Sequence, residues 1–326
     1  MGSALAYHLA YSAEQADFAA VSDQNPQVAQ ALAERFGVAE VCPDYHDLLA
    51  QDDIDAVVIV TPTNAHVEVV KAAAAAGKHI FVEKPLALTL QDCDAAIEAV
   101  RQAGVKMQVG FMRRFDPAYT AAKEKIDQGV IGQSVMFRSN SRDPWRTSVE
   151  YARRESSGGL IADMGIHDFD LARWLMGSEV SRVYSEGGCL VFLELAEVGD
   201  IDNAVISLQF ENSAVGTVDV SRNAIYGYDI RTEIIGSEGS LMIGGLQHTP
   251  LLVMHKNAIT HDAIPGFMQR FETAYAAEIR AFVEMIASGG EPAVTGEDAR
   301  AATAISIAAT RSLDEGRPVM LEEILS

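Results

Sequence analysis

Between Asp55 and Thr61 the chain reads Ala56-Val57-Val58-Ile59-Val60, an apolar run dominated by β-branched residues and lacking any polar face. A strand of this kind is buried on both sides, which points to a parallel sheet covered by helices. Its surroundings fit that requirement. Met1 to Tyr11 reads as a helix, Asp17 to Ser22 as a short strand, and Pro26 to Phe36 as a helix with proline at its start and Gly37 past its end. Thr61-Pro62-Thr63-Asn64 breaks the apolar run and begins a helix that reaches Ala76. Ile80 to Val82 is the next strand, Thr89 to Ala103 a helix stopped at Gly104, and Met107 to Phe111 a further strand. Strand and helix in alternation specify an α/β, doubly wound (Rossmann-type) parallel sheet.

The character changes after Arg113. Longer alternating strands are expected at Ser134 to Ser139, Ala204 to Phe210, Val215 to Val220 and Ile230 to Ile235. Turn residues at Glu211-Asn212-Ser213 and Tyr226-Gly227-Tyr228-Asp229 separate the last three, as in a large, mainly antiparallel sheet. Two helices, Phe267 to Ala287 and Gly296 to Leu313, close the chain. The expected division is an N-terminal domain over 1–112 and an α+β domain over 113–326, packed with a cleft between them.

A net charge of −21 over 326 residues argues against nucleic acid and anionic membranes and favours a neutral small molecule as substrate. Cys42, Cys93 and Cys189 are widely spaced, with no Cys-x-x-Cys, consistent with a reducing cytoplasm. No basic region precedes the first apolar residues, and no apolar run approaches the ~18 residues of a membrane span. The histidines show no metal-ligand spacing, so no metal is expected. Asp168 and Asp170 lie two apart on a helix, on different faces, and suit a solvated or interdomain role. Trp145 and Trp174 read as core or interface anchors.

Two clusters bear chemistry. Glu83-Lys84-Pro85 follows the strand His79-Ile80-Phe81-Val82 and puts an amine at a strand's carboxyl end, where such sheets bind ligands. The plain alternative is a solvated lysine. Downstream, Gly158-Gly159-Leu160-Ile161-Ala162-Asp163-Met164-Gly165-Ile166-His167 sets a carboxylate four residues before an imidazole. An amine, an imidazole and a carboxylate together suit proton transfer on an alcohol. Taken singly, Asp163 reads equally as an N-cap and His167 as a core histidine.

A dinucleotide site on such a sheet has Gly-x-Gly-x-x-Gly after the first strand and an acid ~20 residues on. Here Gly2 opens the first helix and Asp23 follows at a strand end. Gly2 is equally a small residue at a helix start, and Asp23 a turn or capping residue ahead of Pro26. The first strand and first two glycines are absent. That strand lies centrally in the doubly wound order, so the sheet should be split and leave two open edges. A start codon assigned too late would account for this, making Met1 an internal methionine of a longer functional unit.

At this point the motifs resemble the Gfo/Idh/MocA oxidoreductases, and within them the inositol 2-dehydrogenases. The matching stretches are Glu83-Lys84-Pro85, Gly110 to Asp116, Asp163 to Asp170, Gly199-Asp200-Ile201-Asp202, Ser221-Arg222 with Tyr226 to Asp229, and Val294 to Asp298. The resemblance spans essentially the whole chain. It implies Lys84, Asp163 and His167 as catalytic residues. It implies Gly2, Asp23, Thr61, Pro62, Asn64, His66, Glu83 and Lys84 at the cofactor, with Asp23 preferring NAD over NADP. Lys84, Ser141, Asp143, Asp163, His167 and Tyr226 would meet the substrate. Ser141-Arg142-Asp143-Pro144 departs from the His-Arg-Asn-Pro common in inositol dehydrogenases, which leaves the polyol's identity open. A homotetramer in the cytoplasm is implied as well.

In the resulting expectation His167 takes the hydroxyl proton, Asp163 orients the imidazole, Lys84 stabilises the developing alkoxide, and NAD accepts the hydride. The substrate is a cyclic polyol, myo- or scyllo-inositol, oxidised to the keto-inositol. A pyranose dehydrogenase of the same family is the neighbouring alternative. A non-catalytic sugar- or NAD-binding homologue is the one of different class.

Overall fold

The computed structural model describes residues 1–326, which divide into two compact units. Unit 1 comprises Met1–Phe115 and Thr273–Arg300, and unit 2 comprises Asp116–Glu272 and Ala301–Ser326.

Unit 1 runs α1 (Gly2–Ser12), β1 (Ala20–Ser22), α2 (Pro26–Phe36), β2 (Glu40–Cys42), α3 (Tyr45–Leu49), β3 (Ala56–Ile59), α4 (Thr63–Ala75), β4 (His79–Glu83), α5 (Leu90–Ala103) and β5 (Met107–Gly110). All strand pairs are parallel. Helix ends follow their local signals. Asn25 caps α2 and Thr89 caps α5 through side-chain oxygens, and Gly37 and Gly104 end these helices in the left-handed conformation. β4 and β5 are dry, with Ile80, Phe81, Val82 and Val109 each 0 % exposed, but β3 is an edge of its sheet and only its Ile59 is buried, so the β-branched run is not covered on both sides as expected. The sheet is split, as the sequence implies. β1 pairs only with β2, and β3–β4–β5 forms a separate three-stranded sheet. The short β2 and α3 had no strong local signature.

Unit 2 contains α6 (Pro117–Asp127), β6 (Ser134–Arg142), the single turns α7 (Val149–Ala152) and α8 (Arg154–Ser157), α9 (Ile166–Met176), β7 (Val180–Gly188), β8 (Asn203–Phe210), β9 (Val215–Ser221), β10 (Asp229–Gly236) and β11 (Ser240–Ile243). A small exposed hairpin, β12 (Val253–His255) and β13 (Ala258–Thr260), precedes the long helices α10 (Phe267–Ser288) and α11 (Gly296–Glu315). β14 (Val319–Met320) and α12 (Glu322–Leu325) end the chain. Seven strands form one sheet in the order β11-β10-β6-β9-β8-β7-β14. Only β6 and β9 are parallel, so the sheet is mixed but mainly antiparallel. Alternation holds along β8, where Ala204, Ile206, Leu208 and Phe210 are buried and Val205 is 53 % exposed. Helix α10 loses helical geometry at Phe271 (φ −120°, ψ 17°), two residues before the chain passes into unit 1. No helix is long and apolar enough to cross a membrane.

Candidate active site

In unit 1 the candidate cofactor residues gather at strand ends and helix starts. α1 begins at Gly2 with no side-chain cap, which leaves its first N–H groups for another acceptor. A Cβ at Gly2 would meet nothing within 4 Å, so glycine is not forced there by the protein itself. Asp23 is exposed just after β1, and one of its carboxylate oxygens accepts from the Asn25 N–H at 2.8 Å. Thr61, Pro62 and Asn64 are exposed where β3 hands over to α4. This set suits a dinucleotide: free helix N–H groups for phosphate, an acid at the next strand end for ribose hydroxyls.

His66 differs from its exposed neighbours. It is 1 % exposed, with Nδ1 2.8 Å from the Pro85 carbonyl and Nε2 2.9 Å from the Thr61 carbonyl. It therefore ties the β3–α4 loop to the chain after β4 and acts through those loops. Burial holds its imidazole below the ordinary histidine range, against the two carbonyls, which favour a proton on each nitrogen.

Lys84 leaves the end of β4 half-buried, and its bond to Pro85 is cis. Its N–H donates to Glu83 Oε2 at 3.2 Å. Glu83 is 7 % exposed, and burial pushes its carboxyl up to about 7 despite the opposing attraction of Lys84.

In unit 2, Gly158 (φ 80°) and Gly159 (φ 79°) turn the chain out of α8. At Gly159 a Cβ would stand 2.7 Å from Asp200 Oδ1, the atom that accepts from the Leu160 N–H at 2.8 Å. The anchored turn opens into a wide π-type turn, Ile161–Gly165, that carries Asp163 and runs into α9. Such turns re-aim side chains and concentrate at functional sites. Asp163 accepts at Oδ2 from Arg222 Nη2 (3.1 Å) and at Oδ1 from the Tyr151 hydroxyl (3.0 Å). Both carboxylate oxygens are thus directed by groups distant in sequence. The Arg222 side chain is 3 % exposed, so this ion pair is shielded from water.

His167 stands in the first turn of α9 and is 8 % exposed. Asp168 and Asp170 follow it. Of the solvated or interdomain role expected for them, the solvated alternative is overturned: they are 0 % and 1 % exposed. Asp168 accepts from Ser141 Oγ at 2.6 Å and from the Ser139 hydroxyl, and Ser139 contacts Thr232, which meets the Tyr119 hydroxyl at 2.8 Å. A short carboxylate with two hydroxyl donors satisfies its burial and pins the start of α9 to β6. Ser141 is itself 1 % exposed and directs its hydroxyl to Asp168, so it supports the helix that bears His167. Asp143 is tied through its backbone, its N–H donating to the Ser221 carbonyl and its own carbonyl accepting from Ala224. Tyr226 is 47 % exposed, and its hydroxyl donates to Asp229 at 2.8 Å while accepting from Arg142. Burial would raise the Asp229 carboxyl, but Arg231, Tyr226 and Asn140 hold it below the ordinary range. Trp145 is 44 % exposed, so it is no core residue.

Arg222, Tyr151 and Asp200 hold the candidate residues in place but stand out in no residue pattern, whereas Asp168 stands out for its charge but suggests another role. Arg222, Asp168 and Asp200 fall in stretches that carry the resemblance. Asp202 likewise accepts from the consecutive N–H groups of Leu190, Val191 and Phe192, at 2.8, 2.6 and 2.7 Å.

Comparisons with known proteins agree with this geometry. Residues 1–111 match the family model described as "Oxidoreductase family, NAD-binding Rossmann fold", and 123–321 match "Oxidoreductase family, C-terminal alpha/beta domain". A scyllo-inositol 2-dehydrogenase (NAD(+)) of Bacillus subtilis is 41 % identical over 97 % of this chain and 92 % of its own length. A myo-inositol 2-dehydrogenase of Thermotoga maritima is 39 % identical over 94 % of this chain and 91 % of its own. Among solved structures, a probable dehydrogenase from Thermotoga maritima superposes with TM-score 0.95 at 38 % identity, covering 99 % of this chain and 96 % of that one. The scyllo-inositol dehydrogenase of Lactobacillus casei, solved with NAD(H) and scyllo-inositol, gives 0.93 at 33 % identity, covering 98 % and 96 %. The chain belongs to the Gfo/Idh/MocA oxidoreductase family.

Proposed function

We propose that this protein oxidises a secondary alcohol of an inositol, myo or scyllo, to the keto-inositol with NAD. The observation that carries the reading is the 41 % identity over nearly the full chain to a relative named for that reaction. The geometry supports it. NAD, when bound, supplies the hydride acceptor. The uncapped start of α1 at Gly2 would hold its pyrophosphate, and Asp23 its ribose hydroxyls, where a 2′-phosphate would be repelled. Thr61, Pro62 and Asn64 would lie along the cofactor, with His66 fixing their loop and Glu83 fixing Lys84.

On the substrate side, Lys84 donates to the reacting hydroxyl and stabilises negative charge as it develops. His167 takes the proton, and Asp163 orients the imidazole and favours its charged form. Arg222 and Tyr151 hold Asp163 in that task. Tyr226 and Asp143 contact other hydroxyls, and Ser141 contributes through Asp168. In this reading 1–112 binds the cofactor, and 113–326 binds the substrate and assembles a homotetramer in the cytoplasm. Exposed apolar residues of the second unit, among them Val215 (45 %), Met242 (77 %) and Met254 (76 %), favour assembly.

A panel of inositols and pyranoses, read by NADH absorbance, tests the substrate. Inositols should be the better substrates. Turnover of a pyranose with none for any inositol would establish the sugar dehydrogenase instead. Light scattering tests the assembly, and a monomer at micromolar concentration would count against it.

A further inference from the structure

Unit 1 buries four acceptor oxygens that have no hydrogen-bond donor: Glu83 Oε1, Gln108 Oε1 and both carboxyl oxygens of Glu278. Glu278 and Gln108 are 0 % exposed. They belong to one layer. Gln108 sits on β5 opposite Phe81 of β4, and its amide nitrogen donates to the Glu278 main-chain carbonyl at 3.0 Å. One turn beyond Glu278 on α10, Phe282 packs edge-on to Phe81 at 5.7 Å. The Glu83 carboxyl lies over Gly110, where a Cβ would stand 3.3 Å from Oε2.

An ionised carboxylate with no partner in such surroundings is costly, whereas a carboxylic acid brings its own O–H donor. Two charged groups bear on this layer. Lys84 favours an ionised Glu83, and Glu83 in turn opposes ionisation of Glu278. Burial acts on Glu278 in the same direction and is the larger cause, pushing its carboxyl well up.

We propose that Glu278 is a positioning residue for Lys84: as a neutral acid it supplies the missing donor, directly or through one enclosed water, and holds Glu83 where it binds the Lys84 N–H. The catalytic use of Lys84 is the reading given above, on which this role rests; the buried acid itself does not depend on it.

Difference infrared spectroscopy tests the acid without reference to activity. The carbonyl band of a protonated carboxyl should persist at neutral pH and weaken in Glu278→Gln, the part contributed by Glu83 remaining. Kinetics test the positioning. Glu278→Gln keeps a neutral donor and should stay within about twofold in kcat, while Glu278→Met removes it and should lower kcat about tenfold, the size of one lost buried hydrogen bond, with KM for NAD unchanged. Absence of the band at neutral pH, a band unchanged in Glu278→Gln, or equal losses in the two variants, would overturn the proposal. If Glu278→Met does not fold, the band and the Gln variant decide. Full turnover in Lys84→Ala would remove the catalytic reading and this role with it, whereas loss of the band would refute the acid alone.

Discussion

Lys84 and the Asp163–His167 pair are held by opposite means. Lys84 leaves a parallel strand whose neighbours are apolar, and its close support is a backbone hydrogen bond to a buried, under-donated glutamate. Asp163 and His167 stand on a π-type turn and a helix start, where side chains from distant segments satisfy the neighbouring carboxylates. The surrounding sheets differ similarly. The strand pairs of unit 1 are all parallel, while the seven-stranded sheet of unit 2 is mainly antiparallel. A lysine needs only a direction and a low-dielectric base, which a strand end supplies. Beside the proposed base it is the carboxylates that are fixed, Asp163 by Arg222 and Tyr151 and Asp168 by two serine hydroxyls.

The largest effect that would break this contrast lies in the chemistry. His167→Ala should lower turnover ~10²–10⁴-fold, the worth of a positioned proton acceptor, with NADH binding nearly intact. Near-normal turnover with every polyol and sugar would place the base elsewhere. Lys84→Ala and Asp163→Asn should also fall mainly in kcat, and their combination with His167→Ala should be far from additive.

The network around Asp163 should next reveal itself in stability. Arg222→Met leaves the carboxylate without its buried cation and should cost ~3–5 kcal/mol in denaturant unfolding, as for other broken buried pairs. A loss under 1 kcal/mol, the size of a surface pair, would mean that the network is not the device proposed.

The parallel half should show itself in pH dependence. Glu83 is raised from its ordinary value to about 7, so the folded state holds a proton that the unfolded state releases. Stability from this group is therefore full below the unfolded pKa and declines as pH rises through about 7. Glu83→Gln should flatten that slope, and an unchanged slope would show that the glutamate is ionised in the fold.

Two smaller effects sharpen the comparison. Gly159→Ala should cost ~1–2 kcal/mol from its left-handed backbone alone, with more from the crowded Asp200 oxygen. A neutral result in thermal melts would mean that the turn can be rebuilt. Asp23→Ser should narrow the preference for NAD over NADP several-fold, about the ~1 kcal/mol of one close charge pair in water. Equal use of both cofactors by the unaltered protein would refute the role of Asp23.

Much of unit 1 was legible because its determinants are local. The β-branched run at β3, the caps at Asn25 and Thr89, and the stops at Gly37 and Gly104 each act within a few residues. Lys84, Asp163 and His167 stood out as residue types in context, and the motif resemblance gave them roles. Tertiary structure alone decided what holds them. Arg222 reaches Asp163 across 59 positions, Gln108 reaches Glu278 across 170, and Asp168, expected in a solvated or interdomain role, is sealed by Ser139 and Ser141. The return of Thr273–Arg300 to unit 1 is of the same kind. Periodicity and capping describe how a segment satisfies its own backbone. A buried charge is satisfied by whatever the packed chain brings within about 3 Å, and no local pattern encodes that partner.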